Sequence, residues 1–246
     1  MFSRDEEPFK GLPETTFIYL PAGNIVSGKN MVVGSVCDSL LLGNDYYSFE
    51  CAPGGFTATN ALLERPFAAD EKKPFYVPFA LSNHEDYGTF FEFDELKNGV
   101  VEMKKATTVA ANTAYYLQAK EGGVENIEAQ SVQVEPLEEE PYSGLIGTYM
   151  PIALFSDSYV YDNDLKQFRK GNIDYAAPFE VYLSINSNES TLLTHWEGEP
   201  APTAVEAVRT ESAETNQWYS LDGRKLQEQP TRKGVYLKNS KKLVVK

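Results

Sequence analysis

Residues 88–103, with the sequence GTFFEFDELKNGVVEM, decide the fold class of this chain. Phe91 and Phe93 alternate with a polar residue, which places both aromatic side chains on one face of an extended strand. Asn98-Gly99 follows, and this dipeptide readily adopts the two positive-φ positions of a tight hairpin turn. The stretch therefore predicts two antiparallel strands that meet at residues 98–99.

The same pattern recurs through most of the chain. Short strand candidates alternate with clusters of Gly, Asn, Asp and Pro, and the 15 Tyr and 14 Phe favour strands over helices. The predicted strands are 16–20, 30–36, 40–42, 46–51, 61–67, 75–80, 88–93, 100–103, 113–119, 128–134, 147–150, 158–162 and 179–185. We expect an all-β protein, an antiparallel β-sandwich of one or two subdomains with a C-terminal β-hairpin module.

Two changes in composition suggest the domain organisation. Residues 135–141 read EPLEEEP, an acidic loop bounded by proline, and residues 193–215 are rich in Glu, Pro, Ala and Thr. The predicted divisions are a first β-sandwich region at 1–135, a continuation or second β region at 142–192, a linker at 193–217 and a hairpin module at 218–246.

The charge of the chain is distributed unevenly. The last 29 residues, WYSLDGRKLQEQPTRKGVYLKNSKKLVVK, contain eight Lys/Arg and two Asp/Glu, a balance of +6 in a chain whose formal charge is −14. Residues 1–217 therefore carry −20. An acidic body disfavours nucleic acid and anionic membrane surfaces as partners, because phosphate binding needs clustered cations. No apolar run approaches the ~20 residues of a membrane-spanning helix.

The basic tail reads as two consecutive hairpins. Asp222-Gly223 predicts a tight turn after the aromatic run 218–221, and residues 235–238 begin a second strand that turns at Asn239-Ser240. The residue pattern of this segment resembles the type IX secretion (Por) C-terminal sorting domain of Bacteroidetes proteins. The segment is shorter than that domain and has Ser240 where Gly is common. The main motif positions are Leu221, Asp222, Gly223, Arg224, Lys233, Gly234 and Tyr236.

This resemblance implies a protein that is secreted or held at the cell surface of a Gram-negative bacterium, with the secretion or surface-retention machinery as a partner of the tail. The alternative is a hairpin that only completes a sheet. The amino end, MFSRDEEPFKG, has no apolar signal core, so the resemblance also implies that the natural protein extends further in that direction.

A second resemblance covers residues 36–185. Several segments look like a β-module found near the carboxyl ends of uncharacterised Bacteroidetes surface proteins. Those segments are 37–42, 56–59, 64–67, 75–79, 109–117, 147–149 and 178–183. No catalytic residues define that module, so the resemblance assigns no catalytic, cofactor-binding or metal-binding residue to this chain.

The only two cysteines, Cys37 and Cys51, fall at the open ends of a predicted hairpin formed by 37–42 and 46–51. A disulfide there would close a loop of about 15 residues and contribute ~3 kcal/mol. Two separate buried thiols are the alternative, and the sequence leaves both open.

Candidate chemical groups are few. His84 and His195 are the only histidines; both are predicted at the surface, and neither accompanies a nucleophile motif. Asp157, Asp162 and Asp164 could hold calcium, but their spacing favours a solvated turn. Three tyrosine pairs, Tyr46-Tyr47, Tyr115-Tyr116 and Tyr159/Tyr161, could stack on sugars, and alternation predicts that one member of each adjacent pair faces outward. For each pair taken singly, ordinary packing at a sheet face is the favoured interpretation.

These observations favour a non-enzymatic exported or cell-surface module without a cofactor, serving adhesion, glycan capture or as the spacer and anchor of a larger protein. Its partner would then be a glycan or a host or cell-surface protein. Two alternatives stay open: a glycan-active hydrolase that uses two carboxylates, and a purely structural or sorting module without a ligand.

Overall fold

The computed structural model describes residues 9, 11–13, 16–43, 48–137, 143–155, 157–170, 175–202, 218–220, 225–226, 234–238 and 241–245. The chain divides into two compact units, a body at 1–199 and a C-terminal unit at 200–246. Among the described residues the body contains strands and one short 3-10 turn, His84–Asp86, and no α-helix. The all-β prediction is confirmed.

One sheet of the body has five strands. They lie in the order β1 (Ile18–Leu20), β2 (Met31–Val33), β3 (Val36–Gly43), β4 (Phe56–Phe67) and β9 (Val124–Val134). Along β4 the side chains of Ala61, Leu63, Arg65 and Phe67 are buried while those between them are more exposed. One face of this sheet therefore covers the core.

The second sheet has nine strands and supplies most of the aromatic core. Their order is β10 (Gly144–Gly147), β15 (Val181–Ser184), β12 (Ser158–Asp162), β13 (Gln167–Lys170), β16 (Thr191–Trp196), β7 (Val100–Lys105), β6 (Gly88–Lys97), β8 (Tyr115–Ala119) and β5 (Lys73–Phe75). This sheet curls until Gly144 of β10 lies against the Phe93 ring of β6 and Gly147 lies under the Tyr76 ring. Two further short strands, β11 (Ile152–Ala153) and β14 (Tyr175–Ala176), pair antiparallel with each other as a separate ribbon.

The two sheets share one hydrophobic core, as in a sandwich. Leu63 and Phe67 of the first sheet belong to the same buried cluster as Phe90 and Leu117 of the second, and the Phe67 and Phe75 rings lie 6.4 Å apart. Burying each such side chain contributes about 1.5–3 kcal/mol, so this cluster is the main source of stability.

The hairpin predicted from residues 88–103 is confirmed. β6 and β7 pair antiparallel, with Lys97 opposite Val100. The connecting Asn98 and Gly99 both have positive φ, at 52° and 79°. A two-residue turn of this kind matches the twist of the strands that it joins.

The hairpin predicted from 37–42 and 46–51 is wrong. β3 pairs antiparallel with β2 and parallel with β4, and residues 48–51 are not a strand. The side-chain amide of buried Asn30 donates to the Leu41 carbonyl and accepts from the Leu41 N–H, at 3.0 and 2.7 Å. Parallel pairing requires a crossover of about a dozen residues, which local turn signals do not reveal.

Parallel pairing also departs from the predicted antiparallel arrangement at β1–β2 and at β16–β7. The strands of 144–196 extend the sheet formed by 73–119, so the region after residue 142 is a continuation of the first region. β16 ends at Trp196, which means that the first four residues of the predicted linker lie in a central strand.

The C-terminal unit contains a four-stranded antiparallel sheet. Its order is β18 (Lys225–Leu226), β17 (Trp218–Ser220), β19 (Gly234–Lys238) and β20 (Lys241–Val245). The pairing of β17 with β18 and of β19 with β20 matches the two predicted hairpins. The predicted turns at Asp222-Gly223 and Asn239-Ser240 lie outside the described residues.

Candidate functional site

A buried arginine connects the two sheets of the body. Arg65 Nη2 donates to Glu180 Oε1 at 2.6 Å, and Nη1 donates to the Phe179 carbonyl at 3.1 Å. The guanidinium also lies 5.6 Å from the centre of the Phe67 ring. A buried charge is tolerated when it is paired and hydrogen-bonded, and Arg65 meets both conditions. Its partners are groups of the protein itself, which gives Arg65 a structural role.

Tyr149 lies at a second junction within the core. Its ring stacks on Tyr76 with centroids 4.4 Å apart, and its hydroxyl donates to Asn112 Oδ1 at 2.7 Å. Burial raises the pKa of Tyr149 well above its ordinary value, so the phenol stays neutral. Arg65 and Tyr149 bring together segments 64–67, 75–79, 109–117, 147–149 and 178–183. These segments, which carry the second resemblance, build the core.

His195 lies in a polar cluster with Glu102 and Glu199. It lies on β16 beside its register neighbour Glu102 on β7, with Nδ1 2.6 Å from Glu102 Oε2 and Nε2 3.1 Å from the Glu199 carbonyl oxygen. The hydrogen bond to Glu102 is the main cause that raises the pKa of His195. Both ring partners are hydrogen-bond acceptors and neither is a hydroxyl or thiol nucleophile, so no Ser-His-Asp relay forms here.

Lys72 contacts the turn that follows β16 through Glu199 and Trp196. Its Nζ lies 2.7 Å from Glu199 Oε1 and 5.0 Å from the centre of the Trp196 ring. The backbone of Lys72 exchanges two hydrogen bonds with the side-chain amide of Asn163, at 2.8 and 3.0 Å. The loop before β5 is therefore fastened both to the end of β16 and to the turn between β12 and β13.

A shallow cleft of about 280 Å³ lies beside this turn, lined by Glu71, Val160, Tyr161, Asp162, Asn163, Asp164 and Arg169. Asp162 Oδ1 accepts the backbone N–H groups of Asp164 and Leu165, each at 3.0 Å, and Oδ2 lies 3.0 Å from Arg169 Nε. Asn163 is engaged with Lys72. Because the central polar groups already have protein partners, the cleft is built as a turn and not as a calcium cage.

The predicted sugar-stacking tyrosines are packed inside. Tyr115, Tyr116 and Tyr159 are at most 2 % exposed. Tyr161 is half-buried against the Trp196 ring and accepts a hydrogen bond from Trp196 Nε1 at 3.2 Å. The expectation that one member of the pair at 115–116 points outward is wrong, because both faces of the nine-stranded sheet are covered at β8. Tyr46 and Tyr47 lie outside the described residues.

The two histidines predicted at the surface are both partly exposed. His195 is a half-buried residue in a central strand, as described above. His84 is half-buried in the 3-10 turn, with its ring centre 6.1 Å from that of Phe90. The Nδ1 atom of His84 is buried and has no hydrogen-bond partner among the described residues. Sequence analysis did not predict this contact. Alternation predicts that Phe91 faces the core, whereas His84 packs on Phe90, which lies on the opposite side of the strand.

The two cysteines are free thiols. Cys37 is fully buried in β3, and Cys51 is half-buried with its Sγ 3.9 Å from the Val134 carbonyl oxygen. Burial raises the pKa of both thiols to about 11. A thiol that stays protonated is a poor nucleophile and a poor metal ligand, so neither cysteine has the setting of a reactive site.

The sorting-like motif falls partly within the described residues. Gly234 and Tyr236 lie in β19, where Tyr236 is in register with Ser220 of β17 and Leu243 of β20. The other motif positions, Leu221, Asp222, Gly223, Arg224 and Lys233, lie outside the described residues.

The described residues contain no group of three or more His, Cys, Asp or Glu arranged to hold a metal ion. Among them, no helix has the length and apolar character needed to cross a membrane. Fold and site together define an all-β, sandwich-like body followed by a small four-stranded β unit. Comparison with protein-family models, curated proteins and solved structures finds no match to this chain.

Sequence reasoning missed the Arg65–Glu180 pair and the Lys72–Glu199 contact. A signal for the first was present: Arg65 occupies an inward position in the alternating run Ala61-Leu63-Arg65-Phe67. An arginine in such a position predicts a buried carboxylate partner. No signal identified that partner, which lies 115 residues away.

Proposed function

We propose that this chain is a non-enzymatic module of an exported or cell-surface protein, with the body as a folded spacer and the C-terminal unit as the delivery or retention element. The main observation in support of the proposal is that residues 200–246 form a compact unit distinct from the body. The described residues of the segment that resembles a sorting domain form their own four-stranded sheet. A segment with its own fold can be recognised independently of what precedes it.

The polar groups of the body support the spacer role. Its most prominent ones, Arg65, Asp162 and His195, are engaged with partners within the protein. Catalytic sites, by contrast, keep groups free to meet a substrate. The −20 charge of residues 1–217 also keeps this part of the chain soluble and apart from anionic surfaces.

Deletion of residues 218–246 in a native host tests the proposal. We expect the surface-exposed fraction, measured by protease treatment of intact cells, to fall while the Tm of the purified body stays unchanged. A second variant, Asp222→Ala with Gly223→Ala, keeps the length and nearly all of the composition of the tail and should reduce export in the same direction. Normal export of both variants would refute the delivery role.

A glycan-active hydrolase is the competing function, and the cleft beside Asp162 is where it would operate. Glu71 and Asp164 are the lining carboxylates outside the Asp162–Arg169 pair. Turnover of a polysaccharide panel that is abolished by Glu71→Gln or Asp164→Asn would overturn the non-enzymatic proposal. We expect no turnover by the unaltered chain.

A further inference from the structure

The nine-stranded sheet is made of two groups of strands that come from different parts of the sequence. Strands β10, β15, β12, β13 and β16 come from residues 144–196, and β7, β6, β8 and β5 come from residues 73–119. In the order of this sheet, β16–β7 is the one pair that joins the groups. That pair, here called the seam, is parallel and runs from Leu193 opposite Val100 to Trp196 opposite Met103.

His195 and Glu102 are opposite each other in the seam, and their side chains connect its two strands. The second ring nitrogen of His195 faces the Glu199 carbonyl oxygen in the turn that ends the body. A neutral imidazole has one donor nitrogen and one acceptor nitrogen, so it satisfies only one of these two oxygens. An imidazolium donates to both, and each of the two bonds is charge-assisted.

The surrounding charges favour the imidazolium. Glu102 and Glu199 act on the ring directly, and Glu95 is the register neighbour of Glu102 on β6. Three lysines lie on the neighbouring segments. Lys104 pairs with Glu92 and Asp94, Lys72 pairs with the carboxylate of Glu199 and so offsets part of its charge, and Lys105 Nζ lies beside Gly198.

We propose that protonation of His195 completes two hydrogen bonds, to the Glu102 carboxylate across the seam and to the Glu199 carbonyl in the terminal turn of the body. These two bonds are here called the clasp. They hold the two groups of strands together more firmly in acid than in neutral solution. The proton goes to the imidazole nitrogen that otherwise opposes an oxygen lone pair. No other bond is made or broken.

The direction of the pH effect follows from linkage. The pKa of His195 is raised in the folded chain, so the clasp contributes fully below the pKa of an unfolded histidine. Its contribution is lost as the pH rises through the folded pKa. The body therefore gains stability on acidification near neutral pH, opposite in sign to a carboxylate whose folded pKa is depressed.

Histidine NMR on the full chain tests the proposal directly, because His84 is the only other histidine. We expect His195 to titrate at higher pH than an ordinary histidine, because its pKa is raised by the hydrogen bond to Glu102. Glu102→Gln should move the His195 titration to lower pH. Identical titration of His195 in the two proteins would overturn the proposal.

Thermal melts provide the second readout. Between about pH 9 and about pH 5, the difference in Tm between the unaltered chain and His195→Gln should grow by about 2–4 °C. His84→Gln, which removes the other histidine, is the matched control, and only growth in excess of this control counts for the proposal. If this difference in Tm is independent of pH, His195 contributes to stability through packing alone and the proposal is wrong. If His195→Gln does not fold, the same comparison with Glu102→Gln decides.

Discussion

The guanidinium of Arg65 and the carboxylate of Glu180 meet at 2.6 Å and fasten the five-stranded sheet to the residue that precedes β15 of the nine-stranded sheet. The arginine side chain is 8 % exposed and that of the glutamate 28 %. The pair is thus buried from one side and reached by water from the other. The interface between the two sheets therefore contains an ion pair as well as the shared hydrophobic core.

Replacement of Arg65 by Met should destabilise the body by about 2–3 kcal/mol. The change leaves Glu180 and the Phe179 carbonyl without their donors; the figure is below that for a fully buried pair because water reaches Glu180. Urea unfolding measures the loss. Lys97→Gln, in an exposed pair with Glu95, is the control and should change stability by less than about 0.5 kcal/mol. Equal effects of the two substitutions would contradict the interpretation.

Gly147→Ala should destabilise the body by about 1–3 kcal/mol or prevent its folding. A Cβ at residue 147 would overlap the ring of Tyr76, which is stacked on Tyr149 and has no room to move. The matched control is Gly43→Ala, where the nearest atom would lie 4.0 Å away. Thermal melts of the two variants compare them, and similar Tm values would show that Tyr76 adjusts freely.

Tyr87 lies at the edge of β9. Its hydroxyl donates to the Glu128 carbonyl at 2.7 Å and accepts from the Glu128 N–H at 3.0 Å, on a strand that pairs only with β4 among the described strands. We expect these bonds to hinder pairing with other chains. Unpaired edge groups recruit other strands. Tyr87→Phe should therefore lower stability by about 1 kcal/mol and increase self-association.

Sedimentation velocity over a range of concentrations measures this self-association. Tyr175→Phe, at a side chain 54 % exposed, is the control and should sediment like the unaltered chain. Should Tyr87→Phe remain as monomeric as this control, the polar side chains of β9 protect the edge without help from Tyr87.

Cys37 and Cys51 should resist alkylation in the folded chain. Raising a thiol pKa from 9.0 to about 11 lowers the thiolate fraction near pH 8 by about 100-fold, and burial slows access further. Both should react quickly in denaturant. Intact mass before and after alkylation follows the reaction, and a mass that rises by two hydrogens on reduction would instead reveal a disulfide.

The sequence by itself determined the fold class, the hairpin of residues 88–103 and the two hairpin pairings of the tail. Alternating aromatic residues and the Asn98-Gly99 turn specify a hairpin within some ten residues, because positive φ and side-chain alternation are local properties of the backbone. The pairings within the tail were predicted for the same reason.

Only the tertiary structure decided which distant segments meet. The parallel pairs β3–β4 and β16–β7, the Arg65–Glu180 contact and the engagement of His195 with Glu102 join residues far apart in the chain. Parallel pairing has no local turn to announce it, and a buried charge finds its partner only when the sheets pack. Local patterns therefore predicted many of the strands but missed β13 and β16, while long-range packing set the strand order and the environment of each polar group.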